Sequence, residues 1–144
     1  MIEIIFVCTG NICRSPMAEG LLNHKWHAAG RDDLVVSSMG THGLDNQPAT
    51  EPAQQVCLEN GFDIFTHRSR PLAGEDLQSA DLILCMEPIH TDFIQTFFPW
   101  YRNRVFLLGA WPGKKTRKSP IPDPMGGTVE LYRKIFNLID GHME

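Results

Sequence analysis

The sequence predicts an α/β fold in which helices cover both faces of a small parallel sheet. Short apolar segments alternate with segments of helical spacing along the whole chain, and this alternation is typical of parallel sheets. The first apolar run, residues 2–7, has almost no polar alternation, as expected of a strand covered on both faces. With 144 residues and 42% hydrophobic content, we expect a single domain spanning residues 1–144.

Four segments have the composition of buried strands, and each precedes or follows a predicted helix. They are residues 2–7, 34–38, 81–85 and 104–108. In an open parallel sheet, ligands bind beyond the carboxyl ends of the strands. The loop that follows the first strand therefore lies where a site is expected.

The helices are predicted from capping residues and apolar spacing. The first begins with Ser15 as its N-cap and Pro16 in its first turn, while Thr50 is the predicted N-cap of the second. A later helix opens at Glu87, and the last begins near Thr128. One apolar face of the helix after Glu87 is predicted to consist of Ile89, Phe93, Ile94 and Phe97.

Composition excludes several classes of function. The formal net charge is −4, so general nucleic-acid binding is not expected. No apolar run approaches the roughly 18 residues of a membrane span, and the N-terminus lacks the basic region of a signal peptide. The four cysteines lack metal-ligand spacing with the histidines, which predicts no metal and a reducing, cytoplasmic setting.

The loop after the first strand carries the main functional signal. Cys8 is followed six positions later by Arg14, with Gly10 between them and a helix start directly after. A strand–loop–helix turn gathers backbone N–H groups and positive helix dipole at one point, which makes an anion site. A cysteine there is expected to be held as the nucleophilic thiolate, and the arginine fork suits a tetrahedral oxyanion. Together these groups predict attack on phosphorus.

Attack on a phosphate ester also needs a proton for the leaving group. The best candidate is Asp123, which two flanking prolines, Pro122 and Pro124, hold in a stiff loop. The alternative is an ordinary Asp-Pro turn. Ser15 has two possible roles that are compatible: a plain N-cap, or a hydroxyl that donates to the Cys8 sulfur.

Residues 7–19, with the sequence VCTGNICRSPMAE, resemble the signature of the low-molecular-weight protein tyrosine phosphatases. Asp123-Pro124 resembles the general-acid motif of that family, and the chain length and order of elements are also similar. The resemblance implies a three-layer sandwich with a four-stranded parallel sheet, order 2-1-3-4, in a flavodoxin-like winding. It also implies a phosphocysteine intermediate and no metal or cofactor.

The same resemblance implies a role for each residue of the site. Cys8 is the nucleophile, Arg14 binds phosphate and stabilises the transition state, and Asp123 protonates the leaving group and then activates water. The residues implied to surround the phosphate are Thr9, Gly10, Asn11, Ile12, Cys13, Arg14 and Ser15.

Further residues of the family pattern are matched less closely. Asn11 is implied to hold the loop in its backbone shape, within a network that includes Ser38 and His67, although a surface loop is the alternative for His67. Cys13 is implied to form a reversible disulfide with Cys8, and the alternative is a small buried filler. The two remaining cysteines are expected in the core; they are Cys57 and Cys85.

The leaving group is the open question of the sequence. Ile12 matches the apolar residue of phosphotyrosine enzymes, where a related phosphoarginine branch has threonine. Yet Met125 and two glycines follow Asp123-Pro124, closer to that branch, and Leu44 stands where the family often has tryptophan. We expect a phosphorylated protein substrate, phosphotyrosine first and phosphoarginine as the alternative.

Two other interpretations stay open. Arsenate reductases share the loop but need additional cysteines to relay electrons, and Cys85 has no cysteine partner nearby. A non-catalytic phosphoprotein-binding module usually lacks the nucleophile or the acid, and both are present.

The basic run at residues 114–118 is either a solvated loop or a surface that steers anionic partners. A monomer or weak dimer is expected.

Overall fold

A four-stranded parallel sheet forms the centre of the molecule. The computed structural model describes residues 2–110 and 120–142, and its strand order is β2-β1-β3-β4. The strands are β1 (Ile2–Cys8), β2 (Leu34–Gly40), β3 (Leu82–Cys85) and β4 (Val105–Leu107). The predicted α/β class, strand number and strand order are therefore confirmed.

Five α-helices and two short 3-10 turns connect the strands in the part of the chain that the structure describes. The helices are α1 (Arg14–Ala28), α2 (Glu51–Glu59), α3 (Gly74–Ser79), α4 (Pro88–Phe97) and α5 (Val129–Gly141). The 3-10 turns are Pro99–Arg104 and Leu108–Ala110. None of the described helices is long and apolar enough to cross a membrane. The basic run at residues 114–118 lies outside the described residues.

The sheet separates two apolar clusters, which gives the three layers. Phe6 and Leu84 face the layer of α1, α2 and α5, where Phe136 is among the fully buried side chains. Alternate strand residues such as Val7 and Ile83 face the layer of α3 and α4. Because the central strands are covered on both sides, their sequences are apolar without alternation. This arrangement confirms the predicted flavodoxin-like sandwich.

The buried side of α4 differs from the prediction. Ile89 and Phe97 are 65% and 61% exposed, and Phe93 is only partly buried. The buried residues of the helix are His90, Thr91 and Ile94. The side chains of His90 and Thr91 make hydrogen bonds, which offset the cost of burying polar groups. The predicted apolar face is therefore right for Ile94, partly right for Phe93, and wrong for Ile89 and Phe97.

The start of α1 also differs from the prediction. The helix begins at Arg14 with Cys13 as the N-cap residue, so Ser15 lies inside the first turn and is not the N-cap. Its hydroxyl instead contacts the sulfur of Cys8. Thr50 is an N-cap as predicted. The last helix begins directly after Thr128, close to the predicted start, and Thr128 is its N-cap and accepts a hydrogen bond from Leu131 N.

The chain after β2 runs closely beside the loop that follows β1. Thr41 N donates to Cys8 O at 3.0 Å, and His42 N donates to Thr9 O at 3.0 Å. Gly40 is required here, because a Cβ atom at that position would lie 2.3 Å from Thr9 O. The extension of β2 thus supports the loop at the sheet edge where a site was expected.

Candidate active site

The phosphate loop, residues 8–15, joins the end of the central strand β1 to the start of α1. None of the N–H groups of residues 9–13 donates a hydrogen bond to an acceptor within residues 2–110 or 120–142. Five consecutive free donors next to a helix N-terminus form a concave anion site. The loop is therefore built to receive an oxyanion beside Cys8.

The Cys8 sulfur lies at the base of this loop and has one hydroxyl partner. Cys8 is 1% exposed, and its Sγ lies 2.9 Å from Ser15 Oγ. Asn11 Nδ2 donates to Ser15 Oγ at 2.8 Å, which leaves the Ser15 hydrogen free to donate to the sulfur. A hydroxyl in this position stabilises negative charge on sulfur.

Asn11 holds the loop in a left-handed turn. Its φ angle is 61°, a conformation that asparagine adopts more readily than most residues. The side chain is fully buried, and its amide also donates to Ser38 Oγ at 2.9 Å. Its Oδ1 accepts from Arg70 N at 3.0 Å, and its backbone carbonyl accepts from His67 Nε2 at 2.7 Å.

The structure therefore brings Ser38 and His67 to the loop through Asn11. Ser38 extends the hydrogen-bond network to α1, because its hydroxyl donates to Glu19 Oε1 at 2.7 Å. Burial raises the pKa of Glu19 above its ordinary value. Arg70, which the sequence did not single out, closes the network through its backbone N–H and through its Nε, 3.2 Å from Ser38 O.

Arg14 is buried with one edge of its guanidinium left open. The side chain is 1% exposed, and its Nη1 donates to both Glu87 Oε1 and Ile121 O, the latter at 2.9 Å. Nε has no partner among the described residues. Nε and Nη2 share the edge that binds oxyanions in a bidentate manner. Glu87 thus fixes Arg14 by the opposite nitrogen and leaves this edge for a ligand.

Asp123 lies beside the same loop. Its Oδ2 is 3.7 Å from Arg14 Nη2, and its Oδ1 accepts from Met125 N at 2.9 Å. The loop that carries it is tied to the sheet, since Ile121 N donates to Met86 O at 2.7 Å. The Asp123 side chain is 44% exposed, so its carboxyl reaches solvent at the opening.

Cys13 is a neutral thiol that contacts this carboxylate. Burial, with the nearby Cys8 and Asp123, raises the pKa of Cys13 to about 12. Its Sγ donates to Asp123 Oδ1 at 3.6 Å. Both loop cysteines are free, as are the buried Cys57 and Cys85. The last two lie in the core, as predicted, and burial raises the pKa of Cys57 to about 12.

The pocket residues named from the sequence divide into two groups. Ile12 is partly buried in the loop, and its carbonyl accepts from Thr50 N at 2.8 Å. Leu44 and Met125 are 47% and 55% exposed. Leu44 is connected to the loop by its backbone N–H, which donates to Gly10 O at 3.2 Å. Met125 is connected to Asp123.

His90 was missed by the sequence analysis. It lies in the first turn of α4 and is 1% exposed. Its Nε2 is 2.8 Å from Thr9 Oγ1, and its Nδ1 accepts from Glu87 N at 3.1 Å. Burial first, and then the charge of Arg14, lower the pKa of His90 to about 4. The available signal was position, since His90 and Glu87 directly follow a buried parallel strand.

This arrangement can bind a tetrahedral oxyanion and attack it with sulfur. The loop amides and the open edge of Arg14 receive the oxygens, the Cys8 sulfur stands at the base, and Asp123 supplies a carboxyl at the opening. A thiol nucleophile, an oxyanion cradle and a proton donor are the parts required for transfer of a phosphoryl group to sulfur.

Known proteins of the same organisation are similar along nearly the whole chain. The family model described as low molecular weight phosphotyrosine protein phosphatase matches residues 3–144. The Escherichia coli protein-tyrosine-phosphatase Etp is 34% identical over 96% of this chain and 87% of its own. The Bacillus subtilis protein-arginine-phosphatase is 38% identical over 92% of this chain and 85% of its own.

A solved structure is similar to the same extent. The low molecular weight protein tyrosine phosphatase from T. tengcongensis has a TM-score of 0.92 and 36% identity, and the alignment covers 99% of this chain and 95% of that one. The chain belongs to the low molecular weight phosphotyrosine protein phosphatase family. It is a protein phosphatase and thus a phosphoric monoester hydrolase.

Proposed function

We propose that the protein removes phosphate from tyrosine side chains of proteins through a phosphocysteine intermediate on Cys8. The observation that carries this proposal is the open Nε–Nη2 edge of Arg14 beside the free loop amides. Asp123 lies 3.7 Å from that edge. A doubly charged phosphate ester suits both sets of donors.

In the first step the Cys8 thiolate attacks phosphorus and the ester P–O bond breaks. Asp123, protonated, donates its proton to the departing phenolic oxygen, since a phenoxide is a poor leaving group without one. In the second step Asp123 takes a proton from water, which attacks the phosphocysteine. The S–P bond breaks, inorganic phosphate leaves, and the Ser15 hydroxyl donates a hydrogen bond to the thiolate that forms on Cys8.

Ile12 favours phosphotyrosine as the substrate. Its apolar side chain lies within the loop, where the resemblance gives the phosphoarginine branch a threonine that orients the attack. The relative from Bacillus subtilis is a protein-arginine-phosphatase, and Met125 with the glycines after it is similar to that branch. Phosphoarginine is therefore the second candidate, and measured hydrolysis of both phosphopeptides decides between the two substrates.

The deciding measurement is phosphate release from matched phosphotyrosine and phosphoarginine peptides at neutral pH. We expect a larger kcat/KM for phosphotyrosine, and Ile12→Thr should shift the ratio toward phosphoarginine. A clear preference of the unaltered protein for phosphoarginine would reverse the assignment of substrate.

The covalent step has its own test. Cys8→Ser should abolish turnover of both peptides while binding of inorganic phosphate is retained, because the loop donors remain. Residual turnover by Cys8→Ser comparable with that of the unaltered protein would exclude a phosphocysteine.

The remaining properties follow from composition and burial. We propose that residues 1–144 form one domain, since the family model matches residues 3–144. Transfer of electrons to arsenate is disfavoured because Cys57 and Cys85 are fully buried. A net charge of −4 argues against nucleic acid, and four free cysteines fit a cytoplasmic setting. We propose a monomer or weak dimer that needs no metal or cofactor.

A further inference from the structure

His90 lies where the first turn of α4 meets the phosphate loop, and its two ring nitrogens have different partners. The backbone N–H of Glu87 donates to Nδ1, so Nδ1 must be unprotonated. A neutral imidazole then carries its hydrogen on Nε2. The contact of 2.8 Å with Thr9 is therefore a hydrogen bond donated by His90 to Thr9 Oγ1. The tautomer is set by the backbone of α4.

This bond decides what the Thr9 hydroxyl can do. A hydroxyl has one hydrogen and two lone pairs, and here one lone pair is occupied by His90. Thr9 Oγ1 makes no other hydrogen bond with a described residue, and Thr9 is exposed at the lip of the loop. Its hydrogen is consequently available to an acceptor that enters the loop beside Cys8.

The surroundings keep His90 in the neutral state that this bond requires. Burial and the positive charge of Arg14 both disfavour protonation of the ring, and Asp123 and His42 are the other titratable groups that act on it. A protonated ring could not accept from Glu87 N. The neutral form is thus the one compatible with the contacts on both nitrogens.

We propose that His90 is a positioning residue for the reaction: it fixes the Thr9 hydroxyl so that its hydrogen points to the bound phosphate ester. The inference rests on the proposed phosphatase function. His90 touches neither the substrate nor the reacting atoms, and it acts through Thr9. Together with Glu87, it makes the first turn of α4 a support for both ends of the loop, at Thr9 and at Arg14.

Two substitutions test the hydrogen bonds of the two His90 ring nitrogens separately. Gln has an amide nitrogen as many bonds from Cβ as Nε2, so His90→Gln keeps the donor to Thr9. Asn has an oxygen as many bonds from Cβ as Nδ1, so His90→Asn keeps the acceptor for Glu87 N and loses the donor. Thr9→Val removes the hydroxyl at nearly constant shape. His27→Asn is the control, since His27 is an exposed residue of α1.

The experiment measures kcat and KM for a phosphotyrosine peptide and the Ki of inorganic phosphate. We expect His90→Asn and Thr9→Val each to lower kcat/KM about tenfold or more, the loss typical of a hydrogen bond to a charged group. His90→Gln should stay within about threefold of the unaltered protein, and His27→Asn should be unchanged. The double variant with His90→Asn and Thr9→Val should be no worse than Thr9→Val alone.

The double variant distinguishes positioning from a structural role. If the two losses multiply, or if His90→Asn has the kcat/KM of the unaltered protein, the proposal is overturned. If His90→Asn fails to fold, His90→Gln decides alone, and a tenfold loss in a folded His90→Gln protein excludes the role. If the unaltered protein turns over no phosphopeptide, the proposed function fails, while phosphate binding by the same variants still tests His90.

Discussion

At the scale of single residues, the site depends on side chains whose hydrogen bonds are nearly complete before substrate arrives. All the amide groups of Asn11 are occupied, by Ser15, Ser38 and Arg70. Arg14 makes its hydrogen bonds with the described residues through Nη1, while Nε is unpartnered and Nη2 has Asp123 Oδ2 at 3.7 Å. Donors held in place in this way need no reorganisation during the reaction. These side-chain contacts therefore hold the loop in shape before a ligand binds.

Asp123→Ala tests the role of the general acid. We expect hydrolysis of phenyl phosphate to slow by about 10²–10⁴-fold, the usual scale of general acid–base catalysis. The effect should be smaller for dinitrophenyl phosphate, whose leaving group needs no proton. Steady-state rates with both substrates check this, with Asp92→Ala as a control because Asp92 is exposed on α4. Equal losses for the two substrates would remove Asp123 from the proton transfer.

Asn11 offers a prediction that separates backbone shape from hydrogen bonding. Asn11→Gly permits the positive φ but loses the amide, whereas Asn11→Ala loses both. Both variants should lose at least about tenfold in kcat/KM, because the loop loses its network. Asn11→Ala should be about 1 kcal/mol less stable than Asn11→Gly, since a left-handed conformation is costly for alanine. Chemical denaturation measures the difference, and equal stabilities would contradict the backbone argument.

At the scale of elements, two segments adjacent to β1 hold the phosphate loop. The extension of β2 donates backbone hydrogen bonds to the carbonyls of Cys8, Thr9 and Gly10. The N-cap of α4 contributes Glu87 to Arg14, and its first turn contributes His90 to Thr9. These contacts explain why α4 buries the polar side chain of His90 beside Ile94. The N-terminal end of α4 therefore contacts both the site and the core.

Glu87→Ala tests the support that α4 gives to Arg14. We expect a loss of about 2 kcal/mol in the free energy of unfolding, because a buried guanidinium loses its charged partner. The KM should rise, since the arginine fork is no longer fixed, and Glu87→Gln should be milder on both measures. Glu130→Gln is the matched control: it weakens an exposed ion pair with Arg133 and should cost under about 1 kcal/mol. Equal losses for Glu87→Ala and Glu130→Gln would show that α4 does not stabilise Arg14.

At the scale of the whole molecule, the winding of the sheet brings the site together. The loop after β1, the chain after β2 and the first turn of α4 after β3 all lie at the carboxyl edge, as expected of parallel sheets. Ile121 joins the acid-bearing loop to the same edge through Met86. Because the groups of the site come together only when the sheet is folded, protonation of these groups changes the stability of the fold.

The acid stability of the protein should depend on His90. Its pKa in the folded state is about 4, below the ordinary value near 6.5 in the unfolded chain. The unfolded state therefore binds the proton more readily. The contribution of neutral His90 to the free energy of unfolding is complete above about pH 6.5 and is lost as the pH falls toward 4. The full contribution of His90 to the free energy of unfolding is about 3 kcal/mol. The charged or titratable groups near the ring are Arg14, Asp123, His42 and Glu87.

The measurement is the free energy of unfolding at several pH values, for the unaltered protein and for His90→Gln. The difference between the two should change by about 3 kcal/mol between pH 6.5 and pH 4, with the unaltered protein losing more. A difference that stays constant across this range would contradict a buried neutral histidine.

The resemblance implied the strand order. The sequence by itself determined the fold class and predicted the residues of the loop and the acid. These features are local, because apolar runs, a glycine turn and an Asp-Pro motif can be read within a few neighbouring positions. The resemblance already implied Ser38 and His67 beside Asn11, but only the tertiary structure showed which residues support Arg14 and Thr9. Arg14 meets Glu87 across 73 positions, and Thr9 meets His90 across 81. Contacts of this kind depend on how parallel strands bring distant loops to one edge, and no local pattern records them.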